Sequence, residues 1–170
     1  MDIIIENLQT KIPLNTAQAR KIIQKIINEE RLLVTQLSCN FVSRQRIKQL
    51  NKRFLKREYA TDVLAFDFSD QWSVVSGQKK AKSNQPLTTE HLPLTTRISG
   101  DIIISVDAAV AQAQEYGTSI AYELTLYIVH GLLHLLGYDD HAPKDIQKMR
   151  RKEIQVMKYL TKLTPRIVPS

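Results

Sequence analysis

The chain has a single cysteine, Cys39, in 170 residues. An internal disulfide framework needs pairs of cysteines, and a zinc site built on thiolates needs several, so both are excluded. A long apolar run is also missing. Residues 124–136 come closest, but Thr125, His130 and His134 interrupt them well short of the roughly 20 residues that cross a bilayer. The N-terminus, Met1-Asp2-Ile3-Ile4-Ile5-Glu6, has acids where a secretory signal carries bases, and no small-residue cleavage region follows. No internal repeat is visible. These absences predict a cytoplasmic protein that does not enter a membrane. With 43% hydrophobic and 24% charged residues the chain can form a core, and its length fits one domain over residues 1–170.

Acids are the minority charge. Lys and Arg total 24 against 17 Asp and Glu, a formal net charge of +7 at pH 7. Residues 43–57 hold Arg44, Arg46, Lys48, Lys52, Arg53, Lys56 and Arg57 without one acid, and residues 144–163 hold seven bases against Asp145 and Glu153. The remainder of the chain is net acidic. Two basic segments on an acidic body suggest a polyanionic partner, because phosphate contacts supply most non-specific nucleic-acid affinity. Two solvated helix faces would have the same composition, so charge alone does not decide between these readings.

The apolar pattern predicts a short strand over residues 3–8. A helix follows, capped by Asn15 or Thr16 and buried through Ala19, Ile22, Ile23, Ile26 and Ile27. Leu33, Thr35, Leu37, Cys39 and Phe41 alternate along one face of a second strand. Ser43 caps a basic helix with Ile47, Leu50 and Phe54 inward, and residues 61–68 read as a buried strand. Residues 69–99 lack periodicity and exceed ordinary loop lengths, so they read as a flexible insertion between two strands. A strand over residues 102–105 and an Ala-rich helix ended by Gly117 come next, then a central helix capped by Thr118 or Ser119 and stopped by Gly137. Pro143 opens a final basic helix with Ile146, Met149, Ile154, Met157 and Leu160 inside. Strands and helices mix without regular alternation, which predicts an α+β fold.

Three of the four histidines lie in the segment His130-Gly131-Leu132-Leu133-His134-Leu135-Leu136-Gly137-Tyr138-Asp139-Asp140-His141. Residues four apart share a helix face, so His130 and His134 can aim both imidazoles at one point and form half of a metal site. Gly137 can adopt the left-handed conformation that turns the chain back to deliver a third ligand. Register favours Asp140 for that ligand and ligand type favours His141. Such a three-ligand site leaves a fourth position for water, the arrangement of catalytic rather than structural zinc. A zinc-protease helix carries Glu after its first His, whereas position 131 here is Gly. Glu123, seven residues before His130, lies about 10 Å along the axis and reads as a support behind the ligands or as structural. Candidate proton handlers are Asp139, Asp62 and whichever of Asp140 and His141 does not bind metal.

The segment from His130 to His141 resembles the signature of the YbeY family, bacterial and organellar metal-dependent endoribonucleases, whose pattern runs His-Gly-x-x-His-Leu-x-Gly-Tyr-Asp-His. Leu50-Asn51, the run Thr61-Asp62-Val63-Leu64-Ala65-Phe66, and Gly100-Asp101-Ile102 with Ser105 resemble further family blocks in the same order. The resemblance implies a single α+β domain, a small mixed sheet packed against helices, with a metzincin-like central helix carrying the two histidines. It also implies one Zn²⁺ per chain held by three side chains, and single-strand-specific RNA cleavage. That cleavage would serve 16S ribosomal RNA 3′-end maturation and ribosome quality control, with the small ribosomal subunit as partner and no specific role for DNA. Two positions depart from the family pattern. Asp140, followed by His141, stands where the family has its third His, and Leu55 stands where it tends to have an Arg, leaving Arg53 and Arg57 as RNA-binding candidates. Two other readings fit the same cluster: an RNA-binding ribosome factor with structural zinc, and a metallohydrolase on the same scaffold.

Overall fold

A computed structural model of the chain describes residues 2–69, 97–161 and 167–169. In chain order the described elements are β1 (Asp2–Asn7), α1 (Thr16–Glu29), β2 (Leu33–Val42), α2 (Arg44–Leu55), β3 (Val63–Asp67), β4 (Arg97–Ser105), α3 (Val106–Tyr116), α4 (Ile120–Leu135) and α5 (Pro143–Leu160). The strands form one open sheet in the order β1-β2-β4-β3. β1 and β4 each run parallel to β2, while β3 is antiparallel to β4. This mixed sheet with five helices is the α+β architecture the sequence predicts.

Alternation along β4 decides which helix covers which face. Ile102 and Ile104 join Leu37, Cys39 and Phe41 in the larger core, which α1, α4 and α5 close with Ile23, Ile128, Leu132 and Met149. Ile103, pointing the other way, meets Val42 and Leu64 under Ile47 of α2. Burying each such side chain contributes about 1.5–3 kcal/mol, so the strand with three consecutive isoleucines is held from both faces. Side chains cap four of the five described helices, α5 opening instead on Pro143, and the structure selects Asn15 and Ser119 from the paired alternatives. Asn15 Oδ1 accepts from Gln18 N at 3.1 Å, and Ser119 Oγ accepts from Tyr122 N at 3.1 Å. Ser43 and Ser105 do the same for Arg46 and Ala108.

Several details differ from the sequence pattern. The register of β2 against β4 slips between Val34 and Gln36, a bulge that breaks the alternation, so Leu33 is 47% exposed while Leu37, Cys39 and Phe41 are buried. Among the described residues β3 pairs with β4 alone, and of its side chains only Leu64 is buried. Phe54 meets only the edge of the sheet, through the Phe66 ring of β3 at 5.4 Å between centroids, and stays 54% exposed; Ile154 is exposed on α5, where Val156 is buried instead. β4 begins at Arg97, so residues 97–99 of the expected insertion belong to the sheet. Its residues 70–96 lie outside the described residues. Among the described residues, no helix is long and apolar enough to cross a membrane.

Candidate metal centre

α4 is the most buried helix, and its two unlike faces create the site. Leu124, Ile128, Leu132 and Leu135 pack into the core, while His130 and His134 stand four residues apart on the partly open side. Gly131 is required by the sheet beneath it: a Cβ at that position would come within 2.5 Å of Ile102 Cγ2. The acidic side chain of a zinc protease therefore has no room here, which gives a packing reason for the missing Glu. At the helix end Gly137 takes φ +83°. Its N–H donates to His134 O at 2.9 Å and the Tyr138 N–H donates to Leu133 O at 3.0 Å, closing a left-handed helix stop.

That turn returns Asp140 to the histidines. His130 Nε2 and His134 Nε2 lie 3.0 Å apart. Asp140 Oδ2 is 3.6 Å from the first and 3.8 Å from the second. Donor atoms at tetrahedral zinc, with bonds of about 2.0–2.2 Å, are separated by about 3.3–3.6 Å, so this triangle has the size of a zinc coordination face. The outer ring nitrogens are occupied. His130 Nδ1 donates to Glu153 Oε1 at 2.7 Å, and His134 Nδ1 donates to the Tyr138 carbonyl at 3.1 Å. A carbonyl and a carboxylate only accept, so these bonds place the neutral rings' protons on Nδ1 and leave both Nε2 atoms as acceptors. With the rings neutral, two lone pairs and a carboxylate oxygen thus converge with no donor between them among the described residues. Such a group calls for a cation, and a metal ion fits it.

The local charges act on the two rings in opposite directions. Burial alone would depress His130, but its bond to Glu153, with the charges of Glu153, Asp62 and Asp140, holds it above the ordinary imidazole range. Burial and the His130 charge hold His134 below that range. The side chains of His130, His134 and Asp140 are 24%, 27% and 41% exposed, so the centre opens to solvent. His130 and Asp140 stand in the wall of a cleft of about 590 Å³, which Asp62, Glu123, Tyr127, Arg150 and Glu153 also line.

The remaining sequence candidates divide by position. Asp62 faces the metal cleft, with its Oδ1 accepting from Thr61 Oγ1 and Val63 N at 3.0 Å each. His141 is 74% exposed and bonds through Nδ1 to Asp139, so the structure brings Asp140, not His141, against the two helix histidines. Its partnership with Asp139 raises the His141 pKa and lowers that of Asp139. Arg57 opposes protonation of His141 by its charge, which puts the segment just after α2 on the His141 side. The Arg53 guanidinium lies 5.4 Å from the Phe54 ring centroid instead, and Leu55 is 44% exposed. Glu123 is buried and accepts from the Thr118 hydroxyl, the structural place its distance from His130 predicts.

Sequence reasoning missed Glu153. It carried a signal, since Glu153 shares the inward stripe of α5 with Met149, Val156, Met157 and Leu160. A carboxylate on such a stripe needs a partner. The Tyr138 carbonyl carried none, because a main-chain acceptor shows nothing of its direction in the sequence.

Comparison with known proteins gives a consistent result. A family model described as Endoribonuclease YbeY matches residues 4–161. A protein of Caldanaerobacter subterraneus subsp. tengcongensis named Endoribonuclease YbeY is 34% identical over 166 residues, spanning 94% of this chain and 98% of the relative. One of the same name from Salinibacter ruber is 32% identical over 161 residues, spanning 95% and 91%. In fold, a Thermotoga maritima protein solved in solution is similar with a TM-score of 0.50 at 21% identity, over 94% of this chain and 92% of that one.

Proposed function

This chain belongs to the YbeY family, and from that premise we propose that it is a zinc-dependent endoribonuclease that cuts single-stranded RNA. We place it in the cytoplasm, acting on the 3′ end of 16S ribosomal RNA and in ribosome quality control, with the small ribosomal subunit as partner. The observation that carries the reading is the convergence of three acceptors, two Nε2 atoms and Asp140 Oδ2, beside an open cleft that His130 and Asp140 line. The two relatives named above are called endoribonucleases, and the chain spans nearly all of each.

His130, His134 and Asp140 are the residues that would hold the ion, and two nitrogens with one oxygen suit zinc. When bound, zinc supplies Lewis-acid polarisation of a phosphoryl oxygen. The protein's own groups do the rest. Glu153 and the Tyr138 carbonyl fix the ring orientations. Asp62 is the candidate that faces the cleft, and the Thr61 hydroxyl and Val63 N–H hold its carboxylate where it can take or return a proton. Asp139 is already engaged by His141 and serves less well. We assign Arg150, in the cleft wall, to a phosphate flanking the cut, and Arg53 on α2 with Arg57 just beyond its end to phosphates farther along the strand.

Purified protein is expected to cut an unstructured RNA strand and to spare the same sequence in a duplex. Chelation is expected to stop the reaction, added Zn²⁺ to restore it, and His134→Ala to abolish it. Equal cutting by the His134→Ala protein would overturn the proposal.

A further inference from the structure

The metal cleft does not end at the metal residues. A second cleft of about 370 Å³ adjoins it, and Asp62, Gln112 and Tyr127 line both, so the two form one trough. The second arm runs to Arg44 and Tyr59. Each arm carries a tyrosine ring that the core does not use. Tyr116, the last residue of α3, is 65% exposed in the metal arm, and Tyr59, beyond the end of α2, is 56% exposed in the other. Tyr122, 41% exposed, adds a further ring to the metal arm.

The charge of the trough says what those rings meet. Among the described residues, Asp62, Glu123, Asp140 and Glu153 line the metal arm against one arginine, Arg150. Such a wall repels phosphate except at a bound cation. A flat, neutral, polarisable group is what suits open aromatic faces beside it, and an unpaired nucleobase is such a group. In a duplex both base faces are already stacked, so no ring can reach them.

We propose that Tyr116 and Tyr59 are stacking subsites for unpaired nucleobases, one in each arm of the trough, and that they supply the preference for single strands. The proposal rests on the endoribonuclease reading and adds to it where the bases lie.

The test uses the zinc-loaded protein and a labelled 2′-O-methyl strand, verified intact after the measurement, alongside an abasic strand of the same length. Fluorescence anisotropy is read for Tyr59→Ala, Tyr116→Ala and the corresponding Phe variants. Stacking on an aromatic ring is worth about 1–3 kcal/mol per base, so each Ala variant should bind the base-bearing strand at least about fivefold more weakly. The Phe variants keep the ring and should stay within about twofold of the parent, and the abasic strand should bind all five proteins alike. Ala variants that bind both strands like the parent would overturn the stacking sites, as would Phe variants that lose as much as Ala. If the parent cuts RNA in either of those cases, the endoribonuclease reading stands and this inference alone falls. A parent protein that cuts no RNA would overturn that reading itself.

Discussion

Removing the Glu153 carboxylate tests how the centre is held together. Its Oε1 accepts from His130 Nδ1 at 2.7 Å, with the Glu153 side chain 16% exposed. A hydrogen bond to a charged group in such a place contributes about 1.5–3 kcal/mol. The His130 side chain is 24% exposed, so water can replace part of that bond after truncation, which favours the lower end of the range. At about 1.4 kcal/mol per factor of ten, Glu153→Ala should weaken zinc binding about tenfold, the low end of what removing a ligand's outer partner costs. Glu153→Gln keeps an acceptor oxygen but not the charge and should lose about threefold. The assay is competition between metal-free protein and a chromophoric chelator, with melting of the metal-free proteins run alongside to show that all are folded. Zinc binding by Glu153→Ala within twofold of the parent would refute the reasoning, since the ring would then need no support from α5.

Three other outcomes can be checked independently. Asp140→Ala should weaken zinc binding by more than about 100-fold while His141→Ala changes it only a few-fold, and the reverse order in the same competition assay would move the third ligand to His141. Gly131→Ala gains about 1 kcal/mol of helix propensity but forces a Cβ to 2.5 Å from the buried Ile102 side chain, an overpacking cost of about 1–3 kcal/mol. The net loss of about 1 kcal/mol should lower the melting temperature by about 2–4 °C, and an unchanged or higher value would show that Ile102 gives way. Burial pushes the Cys39 thiol up to about 12, so only about one thiol in ten thousand is ionised at pH 8. Alkylation of the folded protein by iodoacetamide should therefore be slower than that of the denatured chain by orders of magnitude, and comparable rates would mean that the sheet opens at Cys39.

How much of the site was legible follows from the range of each interaction. The pairing of His130 with His134 is a property of one helical turn, and the reversal at Gly137 needs only a residue free to take positive φ, so both can be read from a dozen letters. The choice between Asp140 and His141 cannot, because the two are adjacent and the turn geometry decides which side chain returns to the helix and which is left to Asp139. The same limit appears in the fold. Periodicity placed Phe54 and Ile154 on inward stripes, yet a stripe says which residues share a face and not whether another element covers it. The bulge in β2 is equally silent in the sequence, because it depends on where β4 pairs.

The sequence by itself determined the five helices, the isoleucine-rich strand, the two-histidine helix and the family, since each rests on neighbours within a few residues or on a long ordered motif. The tertiary structure decided that Glu153, twenty-three residues beyond His130, orients its ring. It also decided that Ile102 keeps Gly131 bare and that a loop after α2 joins the metal cleft in one trough. These are contacts between segments that only the packing of sheet and helices brings together, and no local pattern of residues encodes the distance between them.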